Sequence, residues 1–304
     1  MHNIDLNILN ERFGIKEQLI FKRGANDFVM LEVANSLASA SLALQGAQLL
    51  TWAPTGHHPV IWLSKDARYQ LGKSVRGGLP LCWTWFGPHV SDSSFIGHGF
   101  ARTACWEVSA TETLGDGSNS IVFRLVSSDE HYQYWPYSTP LELHVVVGRE
   151  LTMELHTRNI GVSPVTIGQA FHTYFEISDI RNVSIRGLDG CRYLDKVDGG
   201  KEKRQSGPVT FSGETDRIYL DTDAECVIED PGMSRRISIG KRGSFSTVVW
   251  NPWVEKAAKL GDMGETVYLN MVCVESANAA DDVVTLQPGE NLMLAVNYAV
   301  EATN

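Results

Sequence analysis

The sequence predicts an all-β chain, a large antiparallel β-sandwich with few short helices. Two observations carry that prediction. Short apolar or alternating runs recur along most of the 304 residues, with turn residues between them at short, fairly regular intervals. Helical periodicity is confined to two short stretches, Asn7–Gly14 and Val254–Leu260, the second introduced by Asn251-Pro252.

The runs follow in order. Phe28–Val33 comes first, then Ser39–Leu44, which leads through Gly46 into Gln48–Trp52. Ser120–Val126 is bounded by Gly117 and by Ser127-Ser128-Asp129. Pro140–Val147 and Leu151–Thr157 alternate about a short glycine-containing turn and predict a hairpin. Val183–Arg186, Cys226–Ile228, Arg236–Ile239, Ser246–Trp250, Val267–Glu275, Val283–Leu286 and Leu292–Val300 complete the set. The charged stretch Asp195–Gly207 reads as a loop excursion. No repeat, low-complexity tract or linker interrupts the chain, so one domain spanning residues 1–304 is expected.

Composition narrows the class. Hydrophobic residues make up 43% and charged residues 20%, as in ordinary globular chains. A formal net charge of −10 argues against nucleic-acid partners. It also means that an anionic ligand needs a locally positive pocket. The five cysteines are scattered without a C-x-x-C pair, so neither a disulfide framework nor a zinc site is expected. Met1–Leu6 shows no signal-peptide pattern, and no apolar run is long enough to span a bilayer. A cytoplasmic monomer without membrane partners is the expectation.

Two strand-like runs carry groups suited to acid–base chemistry. In Gln169–Ile177 the odd positions are mostly apolar, whereas His172, Tyr174 and Glu176 share the other face and could line a cleft. Glu275 shares a face with Met271 and Cys273 in an otherwise apolar run. A partly desolvated Glu275 would have a raised pKa and act as a better base near neutrality. Taken alone, His172 also fits a structural histidine, and Glu275 fits a solvated residue just past a strand end.

Arg76-Gly77-Gly78-Leu79-Pro80 fits a turn that grips an anion or hydroxyl, or a plain surface turn. His98 and Arg102 share parity but would stand roughly 13 Å apart on a straight strand. Gly97 and Gly99 allow a bend that would aim both at one ligand; a structural salt bridge is the other reading of Arg102. Trp83, Trp85, Phe86, Phe95, Trp250 and Trp253 read mainly as core, with sugar stacking as the sharper alternative. His57-His58 reads as surface, and neither an H-E-x-x-H nor a G-x-S-x-G pattern occurs.

Six ordered strings carry a resemblance: Arg76–Pro88, His98–Arg102, Phe171–Phe175, Gly213–Tyr219, Trp250–Trp253 with Gly261–Met263, and Val272–Glu275. Together, from about residue 20 to the end, the chain resembles the aldose 1-epimerase superfamily, in its hexose-6-phosphate mutarotase branch. Thr84 stands where this family often carries proline, and Gly97 where many relatives carry a larger residue. The resemblance implies a β-sandwich of the galactose-mutarotase type. It implies His172 as general acid and Glu275 as general base, with Arg76 and Arg102 on the substrate phosphate. It further implies that Asp216 touches the substrate and that His98 sits at the pocket rim.

Mutarotation fits these groups. One base takes the anomeric proton, one acid protonates the ring oxygen, and the opened aldehyde turns before reclosing. The partner would be a small-molecule sugar phosphate, and the step needs no cofactor and no metal. Three other readings stay open: an epimerase for neutral aldoses, a non-catalytic carbohydrate-binding protein, and a glycoside hydrolase. The last normally needs two flanking carboxylates, and Asp216 is a distant second to Glu275.

Overall fold

The computed structural model describes residues 4–264 and 266–303. Met1–Asn3, Glu265 and Asn304, which fall within the expected 1–304 domain, lie outside the described residues, as does the first half of the Met1–Leu6 segment. Among the described residues the chain builds antiparallel sheets of four, nine and eight strands, with three short helices. No helix among them is long and apolar enough to cross a membrane.

The all-β expectation holds, and the physical cause is visible in the strands. Leu141–Val147 and Leu151–Arg158 alternate buried and half-exposed residues and pair as the hairpin their sequence predicts. Their inward residues, Leu143, Val145 and Leu155, join Phe171, Phe175, Val272 and Val274 of the nine-stranded sheet in one apolar core. Burying each such side chain contributes about 1.5–3 kcal/mol. Two polar contacts bridge the sheets through that core. Trp83 Nε1 donates to Thr157 Oγ1 at 3.1 Å, and the hydroxyls of Thr173 and Tyr298 lie 2.6 Å apart.

Several elements depart from the sequence reading. The stretch Asp195–Gly207 is not a plain loop: Arg192–Asp195 and Lys201–Arg204 pair as a charged edge hairpin. Such a strand has no apolar alternation to reveal it. Trp106–Thr113 is a strand whose register shifts between Val108 and Ala110, which breaks its alternation. Val267–Asn270 forms a short 3₁₀ turn, so the expected strand begins only at Met271. Asp129–Tyr134 is an unexpected six-residue helix capped by the Ser128 side chain. All five cysteines are free thiols.

A buried ion pair ties the eight-stranded sheet to Glu176 of the nine-stranded sheet. Arg235 and Asp230 have side chains 3% and 0% exposed and approach to 3.6 Å. Arg235 donates to the carbonyls of His58, Pro59 and Glu176, while Asp230 accepts from the Ser178 N–H at 3.1 Å. Removing one partner strands a buried charge, at a cost of about 3–5 kcal/mol. Asp230→Ala should therefore lower unfolding stability by about 3–5 kcal/mol in urea titration. A loss below about 1 kcal/mol, the value of an exposed pair, would show that the pair is effectively solvated.

Candidate active site

The cleft floor is built by strand register. Met271–Asn278 runs between Ser246–Asn251 on one side and Val165–Phe171 with Tyr174–Glu176 on the other. The pairs Phe171↔Ser276 and Tyr174↔Cys273 keep one register across a break in the ladder. That register places His172 opposite Glu275. The break frees the backbone of His172, whose N–H donates instead to Pro80 O at 3.1 Å. Two rungs cross the sheet here: Tyr174, Cys273, Trp250 and Asp216, then His172, Glu275, Val248 and Ile218. All of these except Cys273, which is buried beneath the floor, line a cleft of about 630 Å³ together with Phe86, Arg76, Arg102 and His98. That volume lies inside the 300–1,000 Å³ span of small-molecule sites.

His172 Nδ1 and Glu275 Oε1 lie 3.5 Å apart, with side chains 12% and 2% exposed. Glu275 therefore sits within its strand, not past the strand end. Burial moves both groups away from charge. It pushes the Glu275 carboxyl well above the carboxylate range, with Asp216 adding to the push and Arg102 opposing it. It pulls the His172 imidazole well below its usual value, helped by His98, Arg102 and Arg76. The neutral pair and the ion pair hold the same number of protons, so a single proton can move between the two residues without exchange with water. Glu275 Oε2 and His172 Nδ1 are buried and lack hydrogen-bond partners. Orphaned buried polar atoms are uncommon and point to a ligand.

The ring of His172 is held rigidly. It stacks on Tyr174 with centroids 4.9 Å apart and planes 7° from parallel, and Trp250 meets it edge-on at 6.1 Å. Arg76 braces Tyr174 from behind: Nη1 donates to the Tyr174 hydroxyl at 3.1 Å, and Nε to Asp262 at 2.9 Å. Arg102 makes no ion pair among the described residues; Nη2 donates to Gly97 O at 2.6 Å, and its buried Nε has no partner.

His98, expected at the rim, stands half-buried beside His172 with ring centroids 5.8 Å apart. The reason is the bend at Gly99 (φ +70°), where a Cβ would come within 1.9 Å of Trp83 O. His98 Nδ1 accepts the Gly87 N–H at 3.3 Å, and burial beside Arg102 pulls its pKa down to about 3. Asp216 also reaches the cleft, and its pKa is raised mainly by burial.

Residues 30–299 match the sequence profile of the family described as Aldose 1-epimerase. The chain belongs to the aldose 1-epimerase family. An Escherichia coli K12 relative named "Putative glucose-6-phosphate 1-epimerase" is 37% identical over 264 residues, covering 86% of this chain and 87% of its own. A Cenchrus ciliaris relative of the same name is 32% identical over 260 residues, covering 83% of this chain and 78% of its own. The crystal structure of a "putative mutarotase (YeaD)" from Salmonella typhimurium superposes with a TM-score of 0.89 at 34% identity, over 96% of each chain. A galactose mutarotase-like protein from Clostridium acetobutylicum shares the fold at a TM-score of 0.70 and 14% identity, covering 95% of this chain and 100% of its own.

This epimerase carries cleft residues that the sequence reading did not single out. Lys196 and Lys256 line the cleft near Asp216. Lys256 sits 2.8 Å from Glu214 and 3.7 Å from Asp216. Position alone gives little signal for a lysine on a short polar strand end or an exposed helix face. The Gly261–Met263 string did hold a signal: Asp262 is the carboxylate that orients Arg76.

Proposed function

We propose that this epimerase interconverts the α and β anomers of a hexose 6-phosphate. The observation that carries the reading is the His172–Glu275 pair, buried, unpartnered and 3.5 Å apart beneath a cleft edged by arginines. Glu275 takes the proton from the anomeric hydroxyl. The bond between C1 and the ring oxygen breaks as His172 protonates that oxygen. The open-chain aldehyde leaves a neutral carboxyl and a neutral imidazole, the charge state that burial favours. After rotation about the C1–C2 bond, His172 takes the proton back from the ring hydroxyl and Glu275 returns one to the carbonyl oxygen.

Arg102 supplies an unengaged Nε near the pair, and Arg76 keeps Nη2 for a ligand. Both are assigned to the substrate phosphate, with Asp216 and His98 touching sugar hydroxyls. The names of the relatives support glucose 6-phosphate as the substrate. Exchange NMR on glucose 6-phosphate against glucose tests the reading, and equal acceleration of both sugars would favour neutral aldoses instead. One observation speaks for that second reading: Asp262 and Tyr174 already occupy two sides of Arg76.

Arg102→Ala should lower kcat/KM for glucose 6-phosphate by about 10–10²-fold, the loss of a charge-assisted bond worth about 1.5–3 kcal/mol. Arg76→Ala should also fall harder on the phosphorylated sugar than on the neutral one. Equal losses on both sugars would remove the phosphate assignment.

The pH profile of kcat/KM should be bell-shaped. Activity falls in acid when the pair gains a second proton, and falls in alkali when it loses the shared one. The two limbs belong to the coupled pair, not to either residue. A rate that climbs steadily through both limbs would exclude paired acid–base action.

A further inference from the structure

One buried nucleophile has no part in this scheme. Cys273 shares its strand face with Glu275, is fully buried, and does not form the cleft wall. Its Sγ, a ring nitrogen of His172 and a carboxylate oxygen of Glu275 all lie within 4.8 Å of one another. Imidazole, thiol and carboxyl converging on one point make a recognisable donor set.

We propose that His172, Cys273 and Glu275 form a three-ligand site for a borderline-soft divalent cation such as Zn²⁺, bound in competition with the sugar. Three protein donors of these types, with a fourth position open, match tetrahedral zinc. Bonds of about 2.0–2.3 Å place tetrahedral ligand atoms about 3.3–3.8 Å apart. The observed span of 4.8 Å or less therefore needs a contraction of about an ångström, within reach of side-chain torsions. His172 Nδ1 and Glu275 Oε2 have no hydrogen bonds to give up. The thiolate selects against Mg²⁺ and Ca²⁺, which prefer oxygen ligands. Thiolate and carboxylate together balance the dication, so the ion adds no net charge beside Arg76 and Arg102. Burial holds the Cys273 thiol protonated, and binding must release that proton together with the one shared by His172 and Glu275. The metal site stands on its own geometry; only the competition rests on the sugar reading.

The test is titration of the purified full-length chain with Co²⁺, followed by absorbance. A thiolate-to-cobalt charge-transfer band should appear and be displaced by Zn²⁺. Cys273→Ser should abolish the band and weaken Zn²⁺ binding by at least about 100-fold, while metal-free anomer interconversion persists. In the unaltered protein, excess glucose 6-phosphate should suppress the band, and Zn²⁺ should slow interconversion until a chelator is added. No band in the unaltered protein, or a band that survives Cys273→Ser, overturns the site. A band indifferent to a sugar that the protein demonstrably turns over overturns the competition. If the protein turns over no sugar, the functional reading fails instead, and the cobalt band still decides the metal site.

Discussion

Glu275→Gln is expected to slow anomer interconversion of glucose 6-phosphate by about 10²–10⁴-fold, the usual contribution of one general base. The substitution is nearly isosteric, so the cleft keeps its shape. The amide can still hydrogen-bond a sugar hydroxyl, and KM should change little. What it loses is the ability to take a proton. Stability should move the other way. Glu275 is 1% exposed, with an oxygen that finds no partner, so its carboxyl is costly to keep in the folded state. The variant should unfold at equal or higher denaturant concentration than the parent. A large fall in kcat with unchanged or raised stability separates a catalytic role from a structural one. Near-normal kcat, measured by exchange NMR after subtraction of the spontaneous rate, would refute the role of Glu275.

Much of this site was legible from parity alone. Residues 172 and 174, 273 and 275, and 248 and 250 lie two apart on strands that proved adjacent, so each pair faces the same way. Sequence spacing shows which side chains share a face, but not which strands are neighbours. The His172–Glu275 pairing depends on a register that spans a break in the ladder, and nothing local specifies it. Arg76 shows the same limit. Its glycine turn was visible, but its two partners, Tyr174 and Asp262, lie 98 and 186 residues away. For His98 the bend that Gly97 and Gly99 allow was legible, and Gly99 does take a positive φ, but the depth to which that bend carries the ring beside His172 was not. In the fold, strands such as Leu151–Arg158 and Ser246–Asn251 were read to within one residue, whereas the wholly buried Leu81–Thr84 was missed. Polar ones such as Thr215–Tyr219 and Lys201–Arg204 were missed, because neither shows a clean alternation of buried and exposed residues.

Replacing His172 by Asn tests the other half of the chemistry, and the double variant tests the coupling. His172→Asn alone should cost about 10²–10⁴-fold in kcat, the usual contribution of one general acid. His98 lies closest in kind, with its ring 5.8 Å away, but among the described residues no carboxylate pairs with it to supply a proton, and its Nδ1 already accepts the Gly87 N–H. It cannot take over as the acid. If the two residues acted independently, the double variant would lose the product of the two effects. They do not act independently under this mechanism: the proton that Glu275 removes is balanced by the one His172 delivers, and the buried site cannot hold the intermediate with only half of that exchange. The double variant should therefore be no more than a few-fold slower than the worse single variant, as happens when catalytic groups work as a unit. Fully multiplicative losses would mean that each group trades protons with solvent, and the shared-proton mechanism would have to be abandoned.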